Sequence, residues 1–232
     1  MTKTWDYMTT QVHTIAVLGG TGAEGSGLAL RWARAGHRVI LGSRNPEKAA
    51  KACRELNALA GADSIGFADN RSAAAAAAIV VLTVPHEAQR ATVGEVREAI
   101  AGKILIDTTV PLVPPRVARV QLPAGGSAVA EVQRMLGETV RVVSAFQNVP
   151  AHHLRDLDHP VDCDVLVCGD DVAAREIVIG LARDIGLRAY HAGPVCNSAA
   201  AEALTSILIS LNIRYKVPGA GIRITGIPDT AS

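Results

Sequence analysis

The sequence predicts an α/β fold, a doubly wound parallel sheet with a smaller α/β domain at its C-terminal end. Three observations carry that reading. Short apolar runs alternate with alanine- and leucine-rich segments of helical length from residue 14 to about residue 145, the order that builds a parallel sheet with both faces covered. One run, Ile79-Val80-Val81-Leu82-Thr83-Val84, is apolar without alternation, as a strand buried on both sides must be, and it stops at Pro85. The first run, Thr14-Ile15-Ala16-Val17-Leu18, passes into Gly19-Gly20-Thr21-Gly22-Ala23-Glu24-Gly25 and then into a helical segment that ends at Gly36.

In that stretch Gly20, Gly22 and Gly25 have the G-x-G-x-x-G spacing of a Rossmann dinucleotide site. One glycine makes the turn, one lets the pyrophosphate reach the backbone, and one allows close packing of helix on strand. The phosphates belong at the helix N-terminus. A second strand at residues 37–41 completes the βαβ unit, and its tip selects the dinucleotide. An NAD site places an acid about 20 residues beyond the glycines for the ribose 2′-hydroxyl. Here the chain reads Gly42-Ser43-Arg44-Asn45-Pro46-Glu47-Lys48, with no acid at the strand tip. Ser43 offers a hydrogen-bond donor, Arg44 a guanidinium fork and Lys48 a point charge, which suits the 2′-phosphate of NADP. A solvated basic loop is the plain alternative for the same residues.

The first helix, residues 24–35, turns Leu28, Ala29, Trp32 and Ala33 to one face. Pro46 opens a second helix to residue 60, with Leu56 and Leu59 inward and Gly61 as its stop. Residues 64–68 make a short third strand, and the alanine run at 72–78 a crossover helix. Ligands of an open α/β sheet bind beyond the carboxyl ends of the strands, so Thr83, Val84, Pro85 and His86 belong near the dinucleotide. A helix at 87–101 leads to a strand at 103–107. The proline-rich Val110-Pro111-Leu112-Val113-Pro114-Pro115 fits neither helix nor central strand and walls a cleft.

A helix at 127–137 and a strand at 141–146 close this half. The pattern then loosens from residue 151 to 160, a boundary or a lid. A smaller βαβα unit follows: a strand at 165–169, a helix capped by Asp171, a short strand at 187–190, and the longest helix at 197–215. Leu204, Ile207, Leu208 and Leu211 share one face of that helix, a core or dimer face. The organisation is thus an N-terminal extension at 1–12, an NADP-binding domain at 13–150 and a small substrate and dimerisation domain at 151–232.

Composition narrows the partners. A net charge of +1 and only 3% aromatic residues argue against a nucleic-acid surface or a basic membrane-binding face. The start of the chain lacks a basic-then-apolar leader, and no apolar run reaches the roughly 18 residues of a spanning helix, which points to the cytoplasm. Cys53, Cys163, Cys168 and Cys196 lack C-x-x-C spacing and read as free thiols. No metal site is expected: His152 and His153 are neighbours that point apart on a helix, and His159 would meet them only through a loop.

A further set of short motifs runs along the chain in order. It comprises Gly19-Gly20-Thr21-Gly22, Gly27-Leu28-Ala29, Gly42-Ser43-Arg44 with Glu47-Lys48, Leu82-Thr83-Val84-Pro85, and Val142-Val143-Ser144-Ala145 with Val149-Pro150. Later come Val167-Cys168-Gly169-Asp170-Asp171, Gly186-Leu187-Arg188, Ala192-Gly193-Pro194, Asn197, Glu202 and Leu204-Thr205. With these, residues 13–215 resemble the F420-dependent NADP oxidoreductases. The resemblance implies direct hydride transfer between nicotinamide C4 of NADP(H) and C5 of the deazaflavin F420, the rings stacked between the two domains of a homodimeric enzyme. It implies that Thr21, Ser43, Arg44 and Lys48 hold the 2′-phosphate. Gln147, Asn148, Val149 and Pro150, with Arg188, Asn197 and Ser198, would face the deazaflavin.

Departures from the family pattern fall on that second site. Gln147-Asn148 stands where relatives often have His followed by Thr or Asn, His191 where an Asp precedes Ala-Gly-Pro, and Cys196 where a Ser precedes the Asn. Two other readings therefore stand beside the first. One is an NADPH-dependent reductase of a carbonyl, imine or pterin-like acceptor, with His191, His86 or Tyr190 as proton donor. The other is a non-catalytic NADPH-binding sensor.

Overall fold

A computed structural model of the chain describes residues 11–158 and 160–228. Most of the predicted N-terminal extension, and His159, lie outside the described residues. The N-terminal half alternates β1 (Thr14–Leu18), α1 (Ala23–Arg34), β2 (Arg38–Gly42), α2 (Pro46–Ala60), β3 (Ile65–Ala68) and α3 (Asn70–Ala76). It continues with β4 (Ile79–Leu82), α4 (His86–Val96), β5 (Ile104–Asp107), α5 (Ala128–Leu136) and β6 (Arg141–Ser144). A short α6 (Ala151–Leu154) precedes β7 (Asp164–Gly169), α7 (Val172–Asp184), β8 (Arg188–His191) and α8 (Ser198–Tyr215).

The strands form one sheet in the order β3-β2-β1-β4-β5-β6-β7-β8. The first six run parallel, β7 runs antiparallel to β6, and β8 is parallel to β7. The order reverses between β1 and β4, and a ligand crevice opens at such a switch point. Alternation along β1 explains why its sequence is apolar throughout. Ile15 and Val17 enter the layer that holds α1, α2 and α7, while Ala16 and Leu18 enter the layer of α3, α4 and α5. In the first layer fully buried Trp32 meets Phe146 edge to face at 5.8 Å, and its indole N–H donates to the Leu181 carbonyl at 3.0 Å.

Helix ends follow local chemistry. Asn45 caps α2 by accepting from the Lys48 N–H at 2.9 Å, Pro46 occupies its first turn, and Gly61 ends it at φ +70°. Asp171 caps α7 as its position predicts. Four expectations need correction. Leu59 is 51% exposed, because the inward row of α2 is Ala49, Cys53, Leu56 and Ala60, and Leu59 stands a step off it. The β4 ladder ends at Leu82 rather than Val84, since its partner β1 ends at Leu18 and turns into the glycines. β6 ends at Ser144, and the chain turns at Phe146 with φ +73°. On α8, Leu208 is buried whereas Ile207 and Leu211 are exposed, so the apolar stripe divides between core and surface.

What holds α8 in place is polar. Glu202, 1% exposed, accepts from the Ser127 hydroxyl and from the N–H groups of Ala128 and Val129 at the start of α5. Ser198 Oγ adds a 2.6 Å bond to Ser127. Glu202→Ala would leave these donors buried without an acceptor, and we expect a loss of about 3 kcal/mol, read from the urea midpoint at unchanged slope.

Candidate active site

Two connected cavities lie beyond the carboxyl ends of β1, β4 and β5. The smaller, about 330 Å³, is lined by Thr21, Gly22, Ser43, Arg44, Lys48 and Asn70 among others. The larger, about 560 Å³, extends toward α6 and α8. Gly22, Thr83, Val84 and Pro85 line both, so the two form one cleft bent around the glycine turn.

Gly20 and Gly25 shape that turn without lining it. A Cβ on Gly20 would sit 2.8 Å from both Leu41 Cδ2 and the Val17 carbonyl oxygen. One on Gly25 would sit 2.4 Å from Thr83 Oγ1 and 2.9 Å from the Gly19 carbonyl. Gly22, by contrast, meets only the Gly19 carbonyl, at 3.3 Å, and leaves the helix start open to the cleft. The Thr83 hydroxyl donates back to the Leu18 carbonyl at 2.9 Å, tying the ends of β1 and β4.

The smaller cavity suits a phosphate ester. No acid lines it, Arg44 and Lys48 are exposed, and neither is ion-paired among the described residues. Ser43 Oγ is held by the Asn45 N–H at 3.1 Å. These residues and the open start of α1 fit the dinucleotide with an additional phosphate that the sequence predicted.

The larger cavity is mostly apolar, with Val84, Val110, Leu112, Val149, Leu208 and Ile209 in its wall. The proline-rich segment does wall the cleft, through Val110 and Leu112. Gln147, Asn148, Val149 and Pro150 line it as well, carried by the left-handed turn at buried Phe146. Gln147 Nε2 donates to the Asp107 carbonyl and to Ser144 Oγ, both at 2.8 Å. Asn148 Nδ2 donates to the Asp164 carbonyl at 2.7 Å. The amide oxygens of Gln147 and Asn148 are buried without a partner among the described residues.

Arg188, Asn197 and Ser198 line neither cavity. Arg188 pairs with fully buried Asp164 at 3.0 Å, and Arg223 joins the same carboxylate at 3.1 Å. Asn197 donates to the Ala192 carbonyl at 2.7 Å, and Ser198 is sealed against Ser127. His191 lies outside the cleft, bonded to Glu176 Oε1 at 2.8 Å and Arg175 at 3.2 Å. Tyr190 and Cys196 also line neither cavity, whereas His86 lines the larger.

The sequence reading missed several walls. α6 is pinned by Arg31, which donates to the carbonyls of Leu154, His153 and Asp156 at 2.9, 3.0 and 2.7 Å. It can approach only because Gly27 has no Cβ, which would fall 2.4 Å from Leu154 Cβ. Thr108 and Thr109, at the end of β5, also line the cleft, a place the strand-end rule points to. Beneath them Asp107 is fully buried and accepts from Gln89 Nε2 at 2.7 Å and from Thr109 Oγ1 at 2.6 Å. Burial pushes its carboxyl up to about 6 despite these donors. Half-buried Glu24, at the start of α1, faces the larger cavity; burial and, less strongly, Asp107 push its carboxyl up to about 8.

Residues 14–111 match the model of the family described as NADP oxidoreductase, coenzyme F420-dependent. An F420-dependent NADP reductase of Methanocaldococcus jannaschii is 46% identical, over 92% of this chain and 98% of the relative. The chain belongs to the F420-dependent NADP oxidoreductase family. A second member, from Methanothermobacter thermautotrophicus, is 44% identical over 94% of this chain and 97% of its own length. Among solved structures, a proposed F420-dependent NADP reductase from Arthrobacter sp. FB24 superposes with a TM-score of 0.78. It is 26% identical and covers 92% of this chain and 100% of its own. Family membership thus covers both halves of the cleft.

The raised Asp107 carboxyl sets a pH dependence. Its folded value, about 6, exceeds the roughly 3.9 of an unfolded Asp. It therefore contributes stability below pH 4 that is lost as pH rises toward 6. Compared with Asp107→Asn, wild-type unfolding free energy is expected to fall by about 2 kcal/mol between pH 4 and 6.5, measured by urea denaturation; a constant difference would contradict this.

Proposed function

We propose that this chain transfers a hydride directly between NADP(H) and the deazaflavin coenzyme F420. The observation that carries the reading is the single cleft with an acid-free cationic end and an apolar end, joined at Gly22. When bound, the two coenzymes supply the redox chemistry themselves, a hydride passing between nicotinamide C4 and deazaflavin C5. The protein's part is to bind, align and exclude water.

Ser43, Arg44 and Lys48 hold the 2′-phosphate, and the backbone from Thr21 to Gly22 holds the pyrophosphate at the start of α1. Thr83, Val84 and Pro85 turn the dinucleotide into the larger cavity. There Gln147, Asn148, Val149 and Pro150 frame the ring pair from one side, while Leu208 and Ile209 of α8 exclude water from the other. Residues 13–150 serve as the nucleotide half and 151–232 as the part that completes the acceptor half. The exposed apolar residues Ile207, Leu211, Ile213 and Tyr215 of α8 are the surface through which a homodimer forms. Among the described residues no helix is long and apolar enough to cross a membrane, in keeping with a cytoplasmic enzyme that works on small-molecule coenzymes.

The test is oxidation of the reduced nicotinamide by purified protein. We expect turnover with NADPH that depends on F420 and is nearly absent with NADH. Replacing both Arg44 and Lys48 by alanine should weaken NADPH binding about 100-fold, through loss of two charge-assisted contacts, and leave NADH little changed. Tight NADPH binding without F420 turnover would send the acceptor assignment back to the carbonyl, imine or pterin-like class.

A further inference from the structure

Glu24 is the second residue of α1 and the last variable position of the glycine motif, two residues beyond Gly22, where the two cavities meet. It lines the larger cavity and not the smaller. We propose that Glu24 couples the redox state of the bound nucleotide to a proton, ionised beside the cationic nicotinamide of NADP+ and neutral beside the uncharged ring of NADPH. This rests on the reading of the cleft given above and adds to it a residue-level control of which form of the coenzyme is favoured.

The surroundings of Glu24 support the coupling. Thr108 shares the cavity wall with Glu24 and holds its carboxyl down, and its hydroxyl donates to the Leu82 carbonyl at 3.1 Å. A threonine hydroxyl has one proton to give. When it goes to Leu82, Thr108 Oγ1 accepts from a protonated Glu24; when Glu24 is ionised, the hydroxyl turns toward it. The contact therefore serves both forms.

Asp107 lies beneath with its oxygens taken by Gln89 and Thr109, which leaves Glu24 as the carboxyl facing the cavity. The other titratable groups in the wall are His86 at the start of α4 and His152 in α6; α8 presents Thr205, Leu208, Ile209 and Asn212, and the proline-rich segment Val110 and Leu112, none charged. The start of a helix favours an anion, but burial and Asp107 outweigh it and hold the carboxyl near 8. A ring cation arriving beside it tips the balance near neutral pH. The proton count is simple: NADP+ binding converts the Glu24 carboxylic acid to carboxylate and releases one proton to solvent, while NADPH binding releases none at this residue.

Equilibrium binding of NADP+ and of NADPH to the full chain, by calorimetry between pH 6 and 9, tests this without turnover. The ratio of the two dissociation constants cancels the titration of the 2′-phosphate, which both forms carry. In wild type, Kd(NADP+)/Kd(NADPH) is expected to fall about tenfold from pH 6 to 9; in Glu24→Gln it should be flat. Repeating the titrations at pH 7.5 in buffers of different ionisation enthalpy should show proton release with NADP+ and not with NADPH. That readout needs only wild-type protein, so equal proton release with the two nucleotides overturns the coupling even if Glu24→Gln does not fold. A flat ratio in wild type overturns the proposal, as does the same slope in Glu24→Gln, which would assign the titration to His86 or His152. Failure to bind either nucleotide would instead overturn the reading of the cleft, and the coupling with it.

Discussion

The geometry of the cleft depends on one close approach, that of Gly25 to Thr83. Helix α1 can start directly over the end of β4 only because residue 25 has no side chain to meet the threonine hydroxyl and the Gly19 carbonyl. Thr83 in turn is fixed, donating its hydroxyl to Leu18. Any withdrawal of the helix would move the N-terminal amides of α1 away from the cleft and widen the bend where both cavities meet. In a close-packed interior a shift of a few tenths of an ångström does not stay local. The same economy recurs where Gly27 admits Leu154 and Gly20 admits Leu41.

The acceptor half is held by buried polar groups rather than by apolar packing alone. Glu202 fastens α8 to the start of α5, Asp164 collects Arg188, Arg223 and the Ile224 N–H, and Thr205 on α8 donates to the Gln147 carbonyl at 2.8 Å. Such networks are directional, and a half-made one costs more than an apolar contact. They therefore define where α8 and the 147–150 turn stand relative to β5, which apolar contacts would leave to slide. Precise ring alignment needs that kind of definition. The left-handed turn at Phe146 is strained for a bulky residue, and it is held by full burial against Trp32.

The nucleotide half was legible in the sequence because its chemistry is local. The glycine spacing, the missing acid after β2 and the Ser43-Arg44 tip all lie in one βαβ unit, where strand direction alone brings them together. The fold was legible for the same reason, since each strand and helix carries its own period and stop signal. Leu59 and the α8 stripe were misjudged because neighbouring rows on a helix differ by only one step, and which row faces in is decided by the partner surface. α6 was missed because four residues leave no period to read, and its place depends on Arg31 and Gly27 far away in sequence. The acceptor half is assembled from such distant pieces, so single positions in it carried little signal of their own.

That distinction bears on the three departures from the family pattern. Judged along the chain, His191 and Cys196 weigh against a deazaflavin acceptor, whereas Gln147 is a harmless exchange. In space His191 and Cys196 do not. His191 is on the outer side of β8, paired with Glu176, and Cys196 lines a separate surface groove with Asp170 and Asp171. Neither lines the cavity that would receive the ring. Gln147 does, and its amide oxygen is buried without a partner among the described residues. An imidazole in its place would offer either a donor or an acceptor according to tautomer, whereas the amide presents an acceptor fixed by its own two donated bonds to Asp107 and Ser144. Of the three departures, only Gln147 therefore stands where it can bear on the acceptor.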